Sequence, residues 1–195
     1  MIKIAVLGDI GSGKSFVAKQ FGYPVFDADK EVTKIYRSDK LCYKKIKKNF
    51  PSFIKSKIIK KNELGNAIKA NKKNLKKISD IVHPIVRKRM HNFIKKNNKK
   101  KIVVFDIPLL VENKLYDKNF YLIFIQAAKN EIDIRLKKRP FYNKNIINSL
   151  RKAQKSLLYK KKISNFILKN NFKLQTVKKR IKIIKKEIIN ERNSS

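Results

Sequence analysis

Residues Lys3 to Ser15 read KIAVLGDIGSGKS, and this stretch decides the fold. Lys3 to Leu7 is an apolar run that ends in glycine, the signature of a buried parallel strand. Gly8 to Ser15 then satisfies G-x-x-x-x-G-K-S, and a helical pattern follows from about Gly13 to Phe21, stopped by Gly22. Three of the five glycines in the 195-residue chain fall in these eight positions. Glycines let the backbone curl so that consecutive N–H groups point inward, and the helix that starts there adds its positive end, which together make a phosphate cradle. In such a cradle Lys14 bridges the β- and γ-phosphates of a nucleoside triphosphate, and the Ser15 hydroxyl ligates Mg²⁺. A plain glycine turn with a surface lysine is the alternative, and the flanking strand and helix weigh against it. Asp9 sits badly beside phosphates and is expected to point outward.

Working outward, Tyr23 to Phe26 reads as a second strand ending at Asp27. Residues 29–98 are helical and Lys-rich, with breaks expected at Pro51 and at Leu64-Gly65. A stretch this long exceeds a plain crossover and implies a helical insertion. Lys101 to Phe105 (KIVVF), Tyr121 to Gln126 (YLIFIQ) and Phe166 to Leu168 (FIL) are further strands, with helical patterns at 130–138 and 145–160. The closing helix carries Leu174, Val177, Ile181, Ile184 and Ile188 at three-four spacing, one apolar face for docking on the sheet. Strands alternating with helices imply a three-layer α/β fold with a five-stranded parallel sheet. The core takes residues 1–33 and 99–195, and the insertion takes 34–98.

Several side chains fall where ligands of open α/β sheets bind. Asp27 and Asp29 flank Ala28 at the end of the second strand, where one could take a proton from an attacking hydroxyl and the other orient it or reach the metal through water. Asp29 also suits a helix cap. Asp106 ends the strand KIVVF, where a carboxylate holds the Mg²⁺ shell or simply terminates the strand. Arg135 and Arg139 lie four apart in RLKKR, on one helix face, and read either as a lid folding over phosphates or as a solvated basic face. Pro84 disfavours a helical His83; either a helix ends there and presents His83 and Arg87 to an anionic acceptor, or a core helix is kinked.

The composition is extreme but less telling. Against 14 acids stand 51 cations, a formal charge of +37, of which 43 are Lys and only 8 are Arg. The excess of Lys, Ile (28) and Asn (19) tracks A/T-rich codons. Arg, the better reader of phosphate and guanine, is scarce, so no specific nucleic-acid partner is expected. Residues 1–33 and 101–133 have net charges of 0 and −1, while 34–100 and 134–195 carry +20 and +18. The neutral quarters should form the buried framework, because unpaired Lys is costly to bury. A single cysteine, Cys42, excludes a disulfide scaffold. With no leader-like or membrane-length apolar run, a soluble cytoplasmic monomer is expected. A GTPase switch would need N-K-x-D, which is absent; a nucleic-acid-dependent ATPase, or another nucleotide or small-molecule kinase, remains an alternative.

Taken in order, GDIGSGKS, then PVFDAD (Pro24 to Asp29), HPIVR (His83 to Arg87) and DIPLLVE (Asp106 to Glu112) form a series. RLKKR (Arg135 to Arg139), RKAQ (Arg151 to Gln154) and SNFILKNN (Ser164 to Asn171) complete it. The series resembles the dephospho-coenzyme A kinases, and covers nearly the whole chain. The resemblance implies a P-loop NTPase fold and transfer of the ATP γ-phosphate to the ribose 3′-hydroxyl of dephospho-CoA, giving CoA and ADP. It implies Asp29 as base with Asp27 beside it, and Lys14 in catalysis. Gly8, Gly11, Ser12, Gly13, Lys14, Ser15 and Phe16 would wrap ATP, with Arg135 and Arg139 closing over it. His83, Arg87, Asp106, Pro108 and Glu112 would contact the acceptor, Ser15 and Asp106 would hold Mg²⁺, residues 34–98 would bind the CoA moiety, and about 139–160 would be the lid. The chain departs from the family at Asp9 (usually Gly or Ser), Phe16 (usually Thr), Ile78-Ser79 and Ser164-Asn165. It departs also at Asn170-Asn171-Phe172, where the family has N-x-G.

Overall fold

Every residue of β1 (Ile2–Gly8) except Lys3 is buried, as a strand covered on both faces must be. The computed structural model describes residues 1–140 and 142–193. Phe141, inside the expected lid stretch, lies outside the described residues. Around β1 the five parallel strands take the order β2 (Val25–Asp27), β3 (Ile102–Asp106), β1, β4 (Phe120–Gln126), β5 (Phe166–Lys169). All of β3 is buried, and it and β4 come from the neutral quarter of the sequence.

The chain divides into two compact units, residues 1–27 with 99–195 and residues 28–98. In the first, α1 (Lys14–Gln20) follows β1 directly, and Gly22, at φ 74°, ends that turn. The C-terminal helix α9 (Leu174–Asn193) packs Val177, Ile181, Ile184 and Ile188 against Ile2, Ile4, Val6, Phe21 and Leu168. Each of those four side chains contributes on the order of 2 kcal/mol by leaving water. Leu174, expected on the same face, is 45% exposed, because it starts the helix beyond the sheet contact.

The second unit begins at Ala28 rather than at residue 34, since α2 (Ala28–Ser38) starts as soon as β2 ends. Its other helices are α3 (Lys40–Asn49), α4 (Lys61–Ala70) and α5 (Lys73–Lys96), and α5 is the spine on which the other three pack. Arg89 of α5 pairs with Glu31 at 3.2 Å and approaches Asp39, the cap of α3, at 3.8 Å. Pro51 falls in the expected break after α3. Gly65 does not break the chain: it lies inside α4, where a missing Cβ costs only about 1 kcal/mol relative to Ala, too little to end a helix whose Leu64 and Ala67 are buried. Glu63 fixes the connection before α4, accepting from Lys55 N, Ser56 N and Ser56 Oγ.

The expected helix at 145–160 is two helices, α7 (Lys144–Lys152) and α8 (Leu157–Lys162), following α6 (Lys129–Lys137) in chain order. Ser156 caps α8 through Tyr159 N, and the Lys155 N–H is taken by Glu112 Oε1 at 2.7 Å. Those two acceptors satisfy donors that a continuous helix would have used internally.

Candidate active site

The phosphate loop between β1 and α1 is held in an unusual backbone path. Gly8, Gly11 and Gly13 all have positive φ. At Gly13 (φ 88°) a Cβ would stand 2.4 Å from Asn170 Nδ2 and 3.0 Å from the Phe172 ring, so glycine is required by both conformation and space. Asn170, just past β5, is buried and fastens the loop: its Nδ2 donates to Ser12 O at 2.8 Å, and its backbone N–H donates to Gln126 O at 2.7 Å. Its Oδ1 accepts from Phe172 N at 2.9 Å. Ser12 is fully buried, and its hydroxyl has no protein partner.

Lys14 folds back over the loop, donating to Gly8 O at 3.2 Å and Asp9 O at 2.8 Å. Ser15, in the first turn of α1, is exposed, while Phe16 is half-buried and packs its side chain on the central core. Asp9 does not point outward as expected. Its carboxylate is 15% exposed and accepts two bonds from Arg151, Nε to Oδ1 at 3.0 Å and Nη2 to Oδ2 at 2.8 Å. A guanidinium fork thus neutralises the acid that the loop carries.

At the carboxyl edge of the sheet, Asp27 and Asp106 are register partners on β2 and β3. Asp106 is buried and Asp27 half-buried. Asp29 is exposed in the first turn of α2, in the second unit, where a carboxylate also favours the helix dipole. The oxygen donors Ser15, Asp27 and Asp106 suit a hard cation such as Mg²⁺, which takes one or two carboxylates plus phosphate oxygens rather than an all-protein cage. Among the described residues no group of three or more His, Cys, Asp or Glu stands ready for a metal.

The remaining expected residues are placed as follows. Arg135, on α6, sits over the Phe172 ring, its guanidinium carbon 4.1 Å from the ring centroid. Arg139 does not share that helix: α6 ends at Lys137 with Lys138 as its cap, and Arg139 N turns back to Leu136 O at 3.0 Å. Pro140 explains this, because the residue before a proline is driven out of the helical region. Pro108 is half-buried in the turns after β3. Glu112 in the same segment is committed to the protein, through Lys155 N and a 3.0 Å pair with Lys160, itself buried.

In the second unit α5 runs through Pro84 as one helix, so no helix end presents His83. Desolvation, together with the charge of Arg87, lowers the His83 pKa despite opposition from Asp80, so the ring is neutral at pH 7 and Arg87 carries the charge there. The sequence assigns no individual role to Arg151, Asn170 or Lys160, although RKAQ contains the first, SNFILKNN the second, and the expected lid stretch reaches the third.

An apolar cleft of about 410 Å³ opens beside the loop, lined by Asp9 and Arg151 with Phe124, Ile125, Ile132 and Leu157. An N–H cradle with a lysine, an exposed hydroxyl and two adjacent carboxylates at the strand ends is equipped for phosphoryl transfer. Residues 2–176 match the family model for dephospho-CoA kinase. The dephospho-CoA kinase of Wolbachia pipientis wMel is 34% identical over 186 residues, covering 93% of this chain and 95% of that protein. Among solved structures, TT1252 from Thermus thermophilus is similar with a TM-score of 0.77 at 26% identity, covering 95% of this chain and 97% of that one. The dephospho-CoA kinase from Campylobacter jejuni shares the fold with a TM-score of 0.69 at 24% identity, covering 97% and 98%. With the family matched along nearly its whole length and the loop and strand-end carboxylates in place, this chain belongs to the dephospho-CoA kinase family.

Proposed function

We propose that the chain transfers the γ-phosphoryl group of ATP to the ribose 3′-hydroxyl of dephospho-CoA, giving CoA and ADP, the closing step of CoA synthesis. The observation that carries the proposal is the intact loop Gly8 to Ser15 together with the Asp27–Asp106 pair on neighbouring strands. Backbone N–H groups of Gly11 to Phe16, with Lys14, hold the β- and γ-phosphates and stabilise the charge that builds on them during transfer. Ser15 and Asp106 would hold Mg²⁺, which when bound neutralises charge on the phosphate oxygens. Asp29 takes the proton of the attacking hydroxyl, and Asp27 orients that hydroxyl.

Arg135, seated over Phe172, and Arg139 contact the nucleotide from the lid side, with the lid spanning about 139–160. The helical unit binds the CoA moiety through Arg87 and a neutral His83, and Asp106, Pro108 and Glu112 shape the acceptor side of the core. In this proposal the protein is a cytoplasmic monomer without a specific nucleic-acid partner. Its Lys-rich surface steers two polyanionic substrates by long-range attraction. None of the described helices is long and apolar enough to cross a membrane.

A coupled ADP-release assay with dephospho-CoA, adenosine, AMP and shikimate as acceptors tests the assignment. Turnover stimulated by dephospho-CoA is expected, and its absence would overturn the proposal.

A further inference from the structure

Asp9 stands at the first variable position of the phosphate loop, and Arg151 stands in the last turn of α7. Both carboxylate oxygens are used, at 3.0 and 2.8 Å, in a bidentate geometry that is the strongest form of this ion pair. Helix α7 buries none of its residues, so packing does little to hold it. The Lys14 ammonium rests on the carbonyls of Gly8 and Asp9. Two cations of the site, Lys14 and Arg151, are therefore both bound to acceptors of Gly8 and Asp9.

We propose that Asp9 is a positioning residue that latches α7 to the phosphate loop in the nucleotide-free protein, and that the triphosphate competes with Asp9 for the Arg151 guanidinium. A phosphate presents the same paired oxygens to the fork as a carboxylate does, with more negative charge, so it can displace Asp9 without new geometry. The exchange leaves Asp9 uncompensated beside the phosphates, which weakens nucleotide binding and favours return of the latch once the nucleotide leaves. The Arg151 pKa is raised, first by its hydrogen bonds to Asp9, with Asp133 and Tyr142 adding smaller contributions. The latch rests on the kinase assignment only for the identity of the competing anion.

Hydrogen exchange of the α7 amides, in protein without nucleotide, tests the latch by itself. Asp9→Asn keeps the shape and the bond to Ile10 N while removing the charge; it should speed exchange across α7 by about fivefold, and Arg151→Met should do the same. The double variant should add nothing, because each change removes one and the same contact. Unchanged exchange in either single variant, or additive effects in the double one, would overturn the latch. Should Asp9→Asn fail to fold, Arg151→Met at a partly exposed site carries the measurement.

Calorimetric titration with a non-hydrolysable ATP analogue tests the competition. Asp9→Asn should tighten binding by about fivefold; in the Arg151→Met background the gain should shrink to the part that comes from relieved repulsion between Asp9 and the phosphates, and an equal gain in both backgrounds would overturn the competition. Weaker or unchanged binding in Asp9→Asn would overturn it. A wild-type protein that fails to bind the analogue would instead count against the kinase assignment, while the exchange measurement still judges the latch.

Discussion

Asp27 and Asp106 are register partners at the carboxyl ends of β2 and β3, so their side chains leave the sheet on the same face. Neighbouring strands lie about 4.8 Å apart, close enough for two carboxylates to share one cation. Asp29, two residues past Asp27, opens α2 and is the more exposed of the two candidates for the base.

These placements separate the three carboxylates by experiment. Asp29→Asn should lower kcat by about 10²-fold while leaving ATP binding nearly intact, as expected for loss of a general base. Asp106→Asn should instead raise the Mg²⁺ concentration needed for half-maximal rate, by about tenfold. Steady-state rates across a Mg²⁺ titration distinguish the two. A loss of kcat confined to Asp27→Asn would transfer the role of base to Asp27.

Phe172 occupies a left-handed conformation, φ 60°, at the position where the family resemblance calls for glycine. Its ring lies against Gly13 and under Arg135, and the stack holds the residue there. Removing the ring separates the backbone cost from the packing gain. Phe172→Ala loses the ring and keeps the strain, whereas Phe172→Gly loses the ring and relieves the strain. The glycine variant should therefore be the more stable of the two by about 1 kcal/mol in urea unfolding, after allowance for the greater freedom of its unfolded chain. Equal stabilities would mean that the left-handed backbone carries no strain.

Lys160 is 1% exposed and pairs with Glu112 at 3.0 Å while also donating to Gln154 Oε1 at 2.8 Å. Such a pair is worth little relative to an apolar isostere, yet breaking it strands a buried charge. Glu112→Leu alone should destabilise the protein by about 3–5 kcal/mol, and adding Lys160→Met should recover a large part of that loss. Thermal unfolding of the two single variants and the double one measures the effect. A double variant as unstable as the sum of the singles would show that Glu112 acts through Lys155 N rather than through Lys160.

The strands were legible because a parallel sheet covered on both faces demands unbroken apolar runs, and KIVVF and YLIFIQ supply them even in a Lys-saturated chain. The loop was legible because the positive φ values at 8, 11 and 13 strongly favour glycine. What escaped the sequence reading depends on partners far along the chain. The break between α7 and α8 is set in part by Glu112, 43 residues before Lys155, and the fate of Asp9 is set by Arg151, 142 residues away. Helix periodicity also failed at RLKKR, where Pro140 overrides the spacing of Arg135 and Arg139. The Gly65 position misled for the opposite reason: an isolated glycine with no positive φ is a small cost, not a boundary.

Within the helical unit, Glu31 links the first turn of α2 to Arg89 of α5, at 3.2 Å, and to Lys34 at 2.7 Å. Desolvation acts to raise its pKa, but the bonds from Lys34 and Arg89 prevail and hold it below its ordinary value of 4.5. A depressed carboxylate stabilises the fold above the unfolded pKa, and that stability is lost as pH falls through the lower folded value. Glu31→Gln preserves the shape and removes the charge. It should cost about 1 kcal/mol at pH 7, where both partners are charged. The difference from wild type should shrink as the medium is acidified below pH 4.5 and vanish once Glu31 is protonated in both states. Urea unfolding across that range is the check. A cost that stays constant with pH would assign the effect of the Glu31→Gln substitution to packing and remove the ion pair with Arg89 from the forces that hold α2 on α5.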